Sequence, residues 1–301
     1  MLHILEKYHY RFILTGSSAR SLRRKGVNLL AGRALNYQMH PLTCYELGED
    51  FSLSQALKFG LLPSIYIVDD PKHYLETYIT TYLREEVLQE GLTRNLSEFR
   101  RFLEVASFSQ GNLMNISEIA RELSISRGVV DHYFSIVEDL LIGGRLPVFT
   151  RRAKRRMVSH PKFFFFDLGV FRMLRPMGPL DSREEVDGAA LETLFLEHLL
   201  AINDYFKLGY TFYFWRTSNQ MEVDFVAYGE KGLIGFEIKR KRKISRSDFV
   251  GLRAFKKEYS IAKLYIFYGG DHNEYYDDIT VIPFEQGLFK IKEILENQEK
   301  L

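Results

Sequence analysis

Apolar residues recur at two different spacings along this chain, and the change between them divides it. Phe99, Phe102, Leu103 and Ala106 fall on one side of a helix predicted over Glu98–Phe108. Ile116–Leu123 continues through Ser124-Ile125-Ser126 into a second helical run over Gly128–Leu141. Ala120 sits at the tight crossing and Ser126 is the N-cap, a helix-turn-helix pattern. Upstream, Tyr74, Tyr78, Tyr82, Leu83, Val87 and Leu88 make one helical face within Tyr74–Glu90, which Gly91 ends. Leu191, Leu194, Phe195, Leu199 and Ile202 predict another helix from Gly188 to Phe206. The spacing then shortens to the alternation of strands over Tyr210–Arg216, Met221–Tyr228 and Leu233–Lys239. A helix over Arg246–Glu258 follows, with Ser245 or Ser247 as its cap, then a strand over Lys263–Tyr268. Val281–Glu299 closes with an apolar segment and a helix. The last third therefore has the order α-β-β-β-α-β.

Between these regions, Arg145–Phe149 and Lys162–Asp167 read as strands flanking a basic hairpin. Added to two crossed helices, such a hairpin makes a winged helix. Arg151, Arg152, Lys154, Arg155 and Arg156 in the hairpin, with Arg127 and His132, could neutralise phosphates. Asp131, Glu138 and Asp139 on the second helix oppose that, and winged helices also serve as protein spacers. The Phe163–Phe166 run is a buried strand rather than a stacking platform. Pro176–Asp187, rich in acidic residues and turn formers, is the linker to the last domain.

Composition narrows the class. With 301 residues, 46% of them hydrophobic and 14% aromatic, the chain can fill two or three cores. The net charge of +2 decides nothing about partners, whereas the local basic clusters do. Cys44 is the single cysteine, so neither an intramolecular disulfide nor a cysteine zinc site can form. No apolar run approaches the ~20 residues that span a bilayer. Charge interrupts the first residues too early for a secretory signal. A cytoplasmic protein without membrane contact is expected.

The candidate chemistry lies on the predicted strands. Alternation puts Glu237 and Lys239 on one face, with Phe236 and Ile238 turned into the core. Asp224 lies on the preceding strand, with Val223 and Phe225 expected on the opposite face from it. Glu192 lies on the upstream helix. Asp224, Glu237 and Glu192 are candidate ligands for Mg²⁺ or Mn²⁺, which prefer carboxylate oxygens. Lys239 is the candidate catalytic group, placed to orient water or offset charge on a phosphate. Arg240, Lys241 and Arg242 extend the strand as a basic rim suited to a polyanion. The order of elements with these residues resembles the P-D-(D/E)-x-K nuclease superfamily. Val223 stands where the Pro of the name would be.

The N-terminal stretch Leu14-Thr15-Gly16-Ser17-Ser18-Ala19-Arg20, with Leu30-Ala31-Gly32-Arg33-Ala34 and His40-Pro41-Leu42-Thr43-Cys44-Tyr45-Glu46-Leu47, resembles the late part of an AAA-type P-loop ATPase core. The resemblance makes Ser17, Ser18 and Arg33 the remnant of nucleotide sensing. No G-x-x-x-x-G-K-(S/T) loop occurs in the sequence, so no ATP site and no ATP hydrolysis are expected of this chain. A shortened coding sequence or a late start codon is the corresponding expectation. Taken whole, the sequence resembles a prokaryotic AAA-type ATPase family with an uncharacterised nuclease-like C-terminal domain.

The expected fold class is thus mixed α/β and α, and multidomain. An ATPase remnant would occupy 1–48, a helical segment 49–95, a winged helix 96–175, a linker 176–188 and a nuclease-like domain 189–301. DNA is the expected partner, along with a homo-oligomer or a missing ATPase portion. The expected function is DNA handling with a metal-dependent nuclease-like domain. The alternative is a non-catalytic nucleic-acid-binding or protein-interaction module.

Overall fold

A computed structural model describes residues 13, 15, 35, 37–82, 87, 95–150, 160–178 and 182–296, and over them the protein is mixed α/β. Ser17, Ser18, Arg33 and the basic hairpin residues Arg151, Arg152, Lys154, Arg155 and Arg156 lie outside the described residues.

The early helices are short and begin at side-chain caps. Thr43 and Glu46 make a reciprocal capping box for α1 (Cys44–Leu47). Ser52 caps α2 (Leu53–Phe59), and Asp70 caps α3 (Pro71–Thr77), which has Pro in its first turn. α3 runs into a π-helical turn over Tyr78–Tyr82, so the single helix expected from the tyrosine spacing changes pitch there.

Three helices follow: α4 (Leu96–Ser107), α5 (Ile116–Leu123) and α6 (Arg127–Asp139). Asn95, Asn115 and Ser126 cap them through their side chains. Ser124 takes a left-handed conformation at φ 56° and turns the chain sharply between α5 and α6. β1 (Gly143–Leu146) and β2 (Lys162–Phe165) pair antiparallel. Phe163 and Phe165 are buried, and Phe163 packs edge-on against Phe134 of α6. The aromatic run is core, as its composition implied. Asp167 caps α7 (Leu168–Leu174).

α8 (Arg183–Tyr205) has 23 residues and is about 35 Å long at 1.5 Å per residue. Ser182 caps it, and Glu184 and Glu185 in its first turn suit the positive end of the helix dipole. The helix therefore starts before Gly188, inside the stretch read as linker. β3 (Thr211–Arg216), β4 (Glu222–Gly229) and β5 (Gly232–Lys239) form an antiparallel meander. A capped 3₁₀ turn over Arg246–Phe249 leads into α9 (Val250–Glu258). β6 (Lys263–Tyr268) then returns parallel to β5. β7 (Glu274–Tyr276) and β8 (Ile279–Pro283) complete a sheet of order β3-β4-β5-β6-β8-β7. β7 was not foreseen, because its three residues are too few to display an alternation. α10 (Phe284–Leu288) and α11 (Ile291–Glu296) end the described chain.

The two faces of this sheet bury different partners. Phe195 of α8 meets Phe225, Phe236 and Phe267 at ring separations of 5.4, 5.2 and 4.7 Å. On the other face, Leu252 and Phe255 of α9 join Trp215, Val226 and Ile266. Strict alternation would put Val223 and Phe225 on one face. The β3–β4 register instead slips between Tyr213 and Trp215, and a bulge at that point sends Val223 to the α9 side and Phe225 to the α8 side. The chain after β1 also joins this sheet. The Phe149 N–H donates to the Phe214 carbonyl at 2.7 Å, and the Phe214 N–H donates to the Pro147 carbonyl at 3.0 Å. Phe149 is buried against Tyr259 and Phe255.

α8 also buries acids with little relief. Neither carboxyl oxygen of Glu197 has a hydrogen-bond partner, nor has the Tyr66 hydroxyl. Burial, and then neighbouring Asp167, raise the Glu197 pKa well above the usual range, with only the Leu168 amide opposing. Burial raises Asp167 to about 6, although the Leu61 and Val170 N–H groups donate to it. A raised folded-state pKa adds stability that is complete below the unfolded value and lost as pH rises through the folded value. Glu197→Gln should therefore melt increasingly above wild type as pH goes from 5 to 9. Thermal unfolding across that range checks this, and a pH-independent offset would contradict it.

Candidate functional site

β4 and β5 set the geometry of the site. Carrying the Phe225↔Phe236 register one step on places Asp224 opposite Glu237. Both residues are buried. Carboxylates directly across from each other repel, so something must offset them. Asp224 Oδ2 accepts the Ile238 N–H at 2.8 Å. Glu237 Oε1 takes the Lys239 ammonium at 2.5 Å, while its buried Oε2 has no hydrogen-bond partner. Glu237 and Lys239 do share a face, away from Phe236 and Ile238, which lie in the α8-side core.

A residue that sequence reasoning assigned only to a strand enters here. Lys162, at the start of β2, is 3% exposed. Its ammonium lies 2.5 Å from Glu222 Oε1 and 4.0 Å from Glu192 Oε2. Arg216 reaches the other Glu222 oxygen at 3.0 Å. The loop after α4 passes beside Glu192 at Gly111, where φ is 70° and an added Cβ would come within 3.2 Å of Glu192 Oε2. Glycine gives that loop both its conformation and its room.

The electrostatics follow from burial and crowding. Burial pushes Glu237 up, Asp224 adds to the rise, and Lys239 opposes it. Burial likewise raises Glu192, with Lys162 opposing and Asp224 and Glu222 reinforcing. Burial alone would lower Lys162, but Glu192, Asp224 and Glu222 outweigh it and keep the ammonium charged. Asp224 with Glu237 and Glu192 act on Lys239 in the same way against its burial. Glu192, Glu222, Asp224 and Glu237 thus face Lys162, Lys239 and Arg216, an excess of one carboxylate.

Among the described residues, no group of three or more His, Cys, Asp or Glu side chains is arranged to hold a metal ion. Asp224 and Glu237 are brought together, and Glu192 joins them through the same field rather than through a shared coordination sphere. The donor set still fits a hard divalent cation. It is all carboxyl oxygen, has one more carboxyl group than cations and includes the unpartnered Glu237 Oε2, and a bound cation would favour the ionised forms that burial disfavours.

Two signals pointed to the missed residues. Glu222 stands two positions before Asp224, and Lys162 is a lone charge heading a run of phenylalanines. The rim is less positive than its sequence suggests. Arg240 pairs with Asp187 at 2.8 Å, and Lys241 with Asp248 at 2.6 Å. Arg242 is exposed and makes no ion pair among the described residues. On α6, Asp131 and Glu138, read as repelling DNA, lie 2.9 and 3.5 Å from Arg145 of β1.

Comparison with known proteins matches both halves to families without an assigned role. Residues 187–286 match a domain of unknown function, DUF4143, which is associated with AAA-type ATPases. Residues 50–181 match another domain of unknown function, DUF8612. An uncharacterized protein of Mycobacterium tuberculosis is 29% identical over 287 residues, covering 92% of this chain and 62% of its own length. One from Mycobacterium bovis gives the same values. An uncharacterized protein of Methanocaldococcus jannaschii is 25% identical, over 73% of this chain and 53% of its own. The chain thus spans less than two thirds of the length of these relatives. No solved structure matches it. Among the described residues no helix is long and apolar enough to cross a membrane.

Proposed function

We propose that this chain handles DNA through a nuclease-like site of the P-D-(D/E)-x-K kind, with Asp224 and Glu237 holding Mg²⁺ or Mn²⁺ and Glu192 adding its charge from beside them. The observation that carries the reading is the buried pair of opposed carboxylates with Lys239 on the same strand and one Glu237 oxygen unpartnered. A hard cation bound there would polarise a phosphate and lower the pKa of a water. Lys239 fixes one Glu237 oxygen, so the other is held in a single orientation. Its ammonium also offers charge to a phosphate in a site where burial strengthens the interaction. The Ile238 N–H fixes one oxygen of Asp224 in the same way.

In this reading α4, α5, α6 and the β1–β2 hairpin are a winged helix that delivers DNA. Arg145 partly offsets Asp131 and Glu138 on its second crossed helix, which weakens the objection those acids and Asp139 raise without removing it. Exposed Arg242, Lys243 and Arg246 would guide phosphates toward the carboxylates. Supercoiled plasmid incubated with Mg²⁺ or Mn²⁺ should be nicked, and binding measured in Ca²⁺ should weaken steeply with salt. Binding without nicking would favour the alternative, a non-catalytic DNA-binding module. One observation supports that second reading: Lys162 and Lys239 already offset most of the carboxylate charge.

A further inference from the structure

We propose that the cleft between the end of α4 and the start of α8 receives one unpaired nucleotide of a DNA strand, beside the carboxylate cluster. The proposal rests on reading that cluster as a phosphodiester site. The cleft has a volume of about 430 Å³, and Phe108, Asn112, Arg175, Glu185 and Glu192 are among the residues lining it. That size lies within the range of small-ligand sites. Glu192 belongs to both places, since it lines the cleft and lies 4.0 Å from the Lys162 ammonium.

The walls suit a base. The Arg175 guanidinium lies over the Phe108 ring at 3.6 Å from its centroid, and Phe108 is 46% exposed. An arginine plane resting on an aromatic ring forms a short stack that a nucleobase can extend. Asn112 Nδ2 donates to the Gln110 carbonyl at 3.2 Å, which leaves the Asn112 amide oxygen as an acceptor for a base amino group.

Charge fixes the direction of the ligand. Exposed Glu185 at the cleft repels a phosphate, whereas the Lys162 ammonium lies 4.0 Å from Glu192, Lys239 also acts on Glu192, and neither lysine lines the cleft. The base would therefore occupy the cleft and its phosphate the carboxylate cluster. A base inside a duplex is stacked and paired on both sides, so only an unpaired or extruded nucleotide can enter. The substrate class that follows is DNA with unpaired nucleotides, as in a single strand, a frayed end, a flap or the unwound stretches of a negatively supercoiled plasmid, rather than a relaxed blunt duplex.

Fluorescence anisotropy of the full chain tests this, using a labelled mixed-sequence oligonucleotide as single strand and as blunt duplex, with Ca²⁺ in place of Mg²⁺. Wild type should prefer the single strand. Phe108→Ala and Arg175→Gln should each weaken single-strand binding by about tenfold, the scale of one lost base stack, and leave duplex binding unchanged. Phe108→Trp should retain the preference. Circular dichroism establishes that each variant is folded. The proposal is overturned if wild type binds no single strand, if both weakening variants bind it as wild type does, or if they lose single strand and duplex equally. Mn²⁺ titration of the same proteins separates this from the metal reading. Intact Mn²⁺ binding without a Phe108 effect rejects the cleft alone. A Phe108 effect without Mn²⁺ binding in wild type rejects the metal site alone.

Discussion

Asp224→Asn should abolish Mn²⁺ binding and lower DNA cleavage by about a thousandfold, the scale of losing several kcal/mol of transition-state charge stabilisation. Asparagine is chosen over alanine because Asp224 Oδ2 accepts the buried Ile238 N–H. Alanine would strand that donor, at a cost of about 1–3 kcal/mol, and would confuse lost function with lost fold. The asparagine oxygen can keep the bond while giving up the charge. Isothermal titration with Mn²⁺ and plasmid nicking, run beside thermal melts, make the comparison. Equal heats from wild type and Asp224→Asn would remove Asp224 from any metal site. Nicking at the wild-type rate would end the nuclease reading.

Lys162→Met should be among the most destabilising single changes in the chain. The ammonium is 3% exposed and sits against Glu222 and Glu192. Its removal leaves half-buried Glu192 and Glu222 with only Arg216 on the latter, a loss of about 3 kcal/mol, the lower end of the range for breaking a buried pair. That corresponds to a melting temperature lower by roughly 10 °C in a chain of this size. The double change Lys162→Met with Glu222→Gln should recover much of the loss, because no uncompensated charge then remains at that contact. A double-mutant cycle measured by denaturant unfolding checks the coupling. Strict additivity of the two changes would show that the Lys162–Glu222 contact contributes little.

The periodic parts of the fold were legible before the structure. α5 and the strand Lys263–Tyr268 were read to the residue, Ser126 caps where it was expected to, and of the two candidates Ser245 and Ser247 it is Ser245 that caps, opening a 3₁₀ turn before α9. These are local properties, set by neighbouring residues. The bulge between β3 and β4 was not legible, because it depends on how two strands pair rather than on either strand's composition. The site divided the same way. Glu237 and Lys239 are two residues apart, so strand geometry alone placed them together. Asp224 needed an adjacent strand, which the order of elements supplied. Lys162 is 60 positions before Glu222, and no local pattern connects them. Only the packing of β2 beside the sheet does. Arg240 and Lys241 were legible as charges, but their acidic partners Asp187 and Asp248 were not.

The backbone bonds between Pro147, Phe149 and Phe214 bear on how this protein can be dissected. An excised fragment covering only 187–286 would leave the outer edge of β3 without its upstream cover, open to pairing with other chains. It would also leave Glu222 and Glu192 without Lys162. The two matched families meet between residues 181 and 187, yet the charge balance of the second is completed from within the first. Recombination at that junction would therefore produce hybrids that fail to fold unless the incoming partner brings its own cation to the same place. Selection would keep the two segments together as one inherited unit, although each has the length of an independent domain.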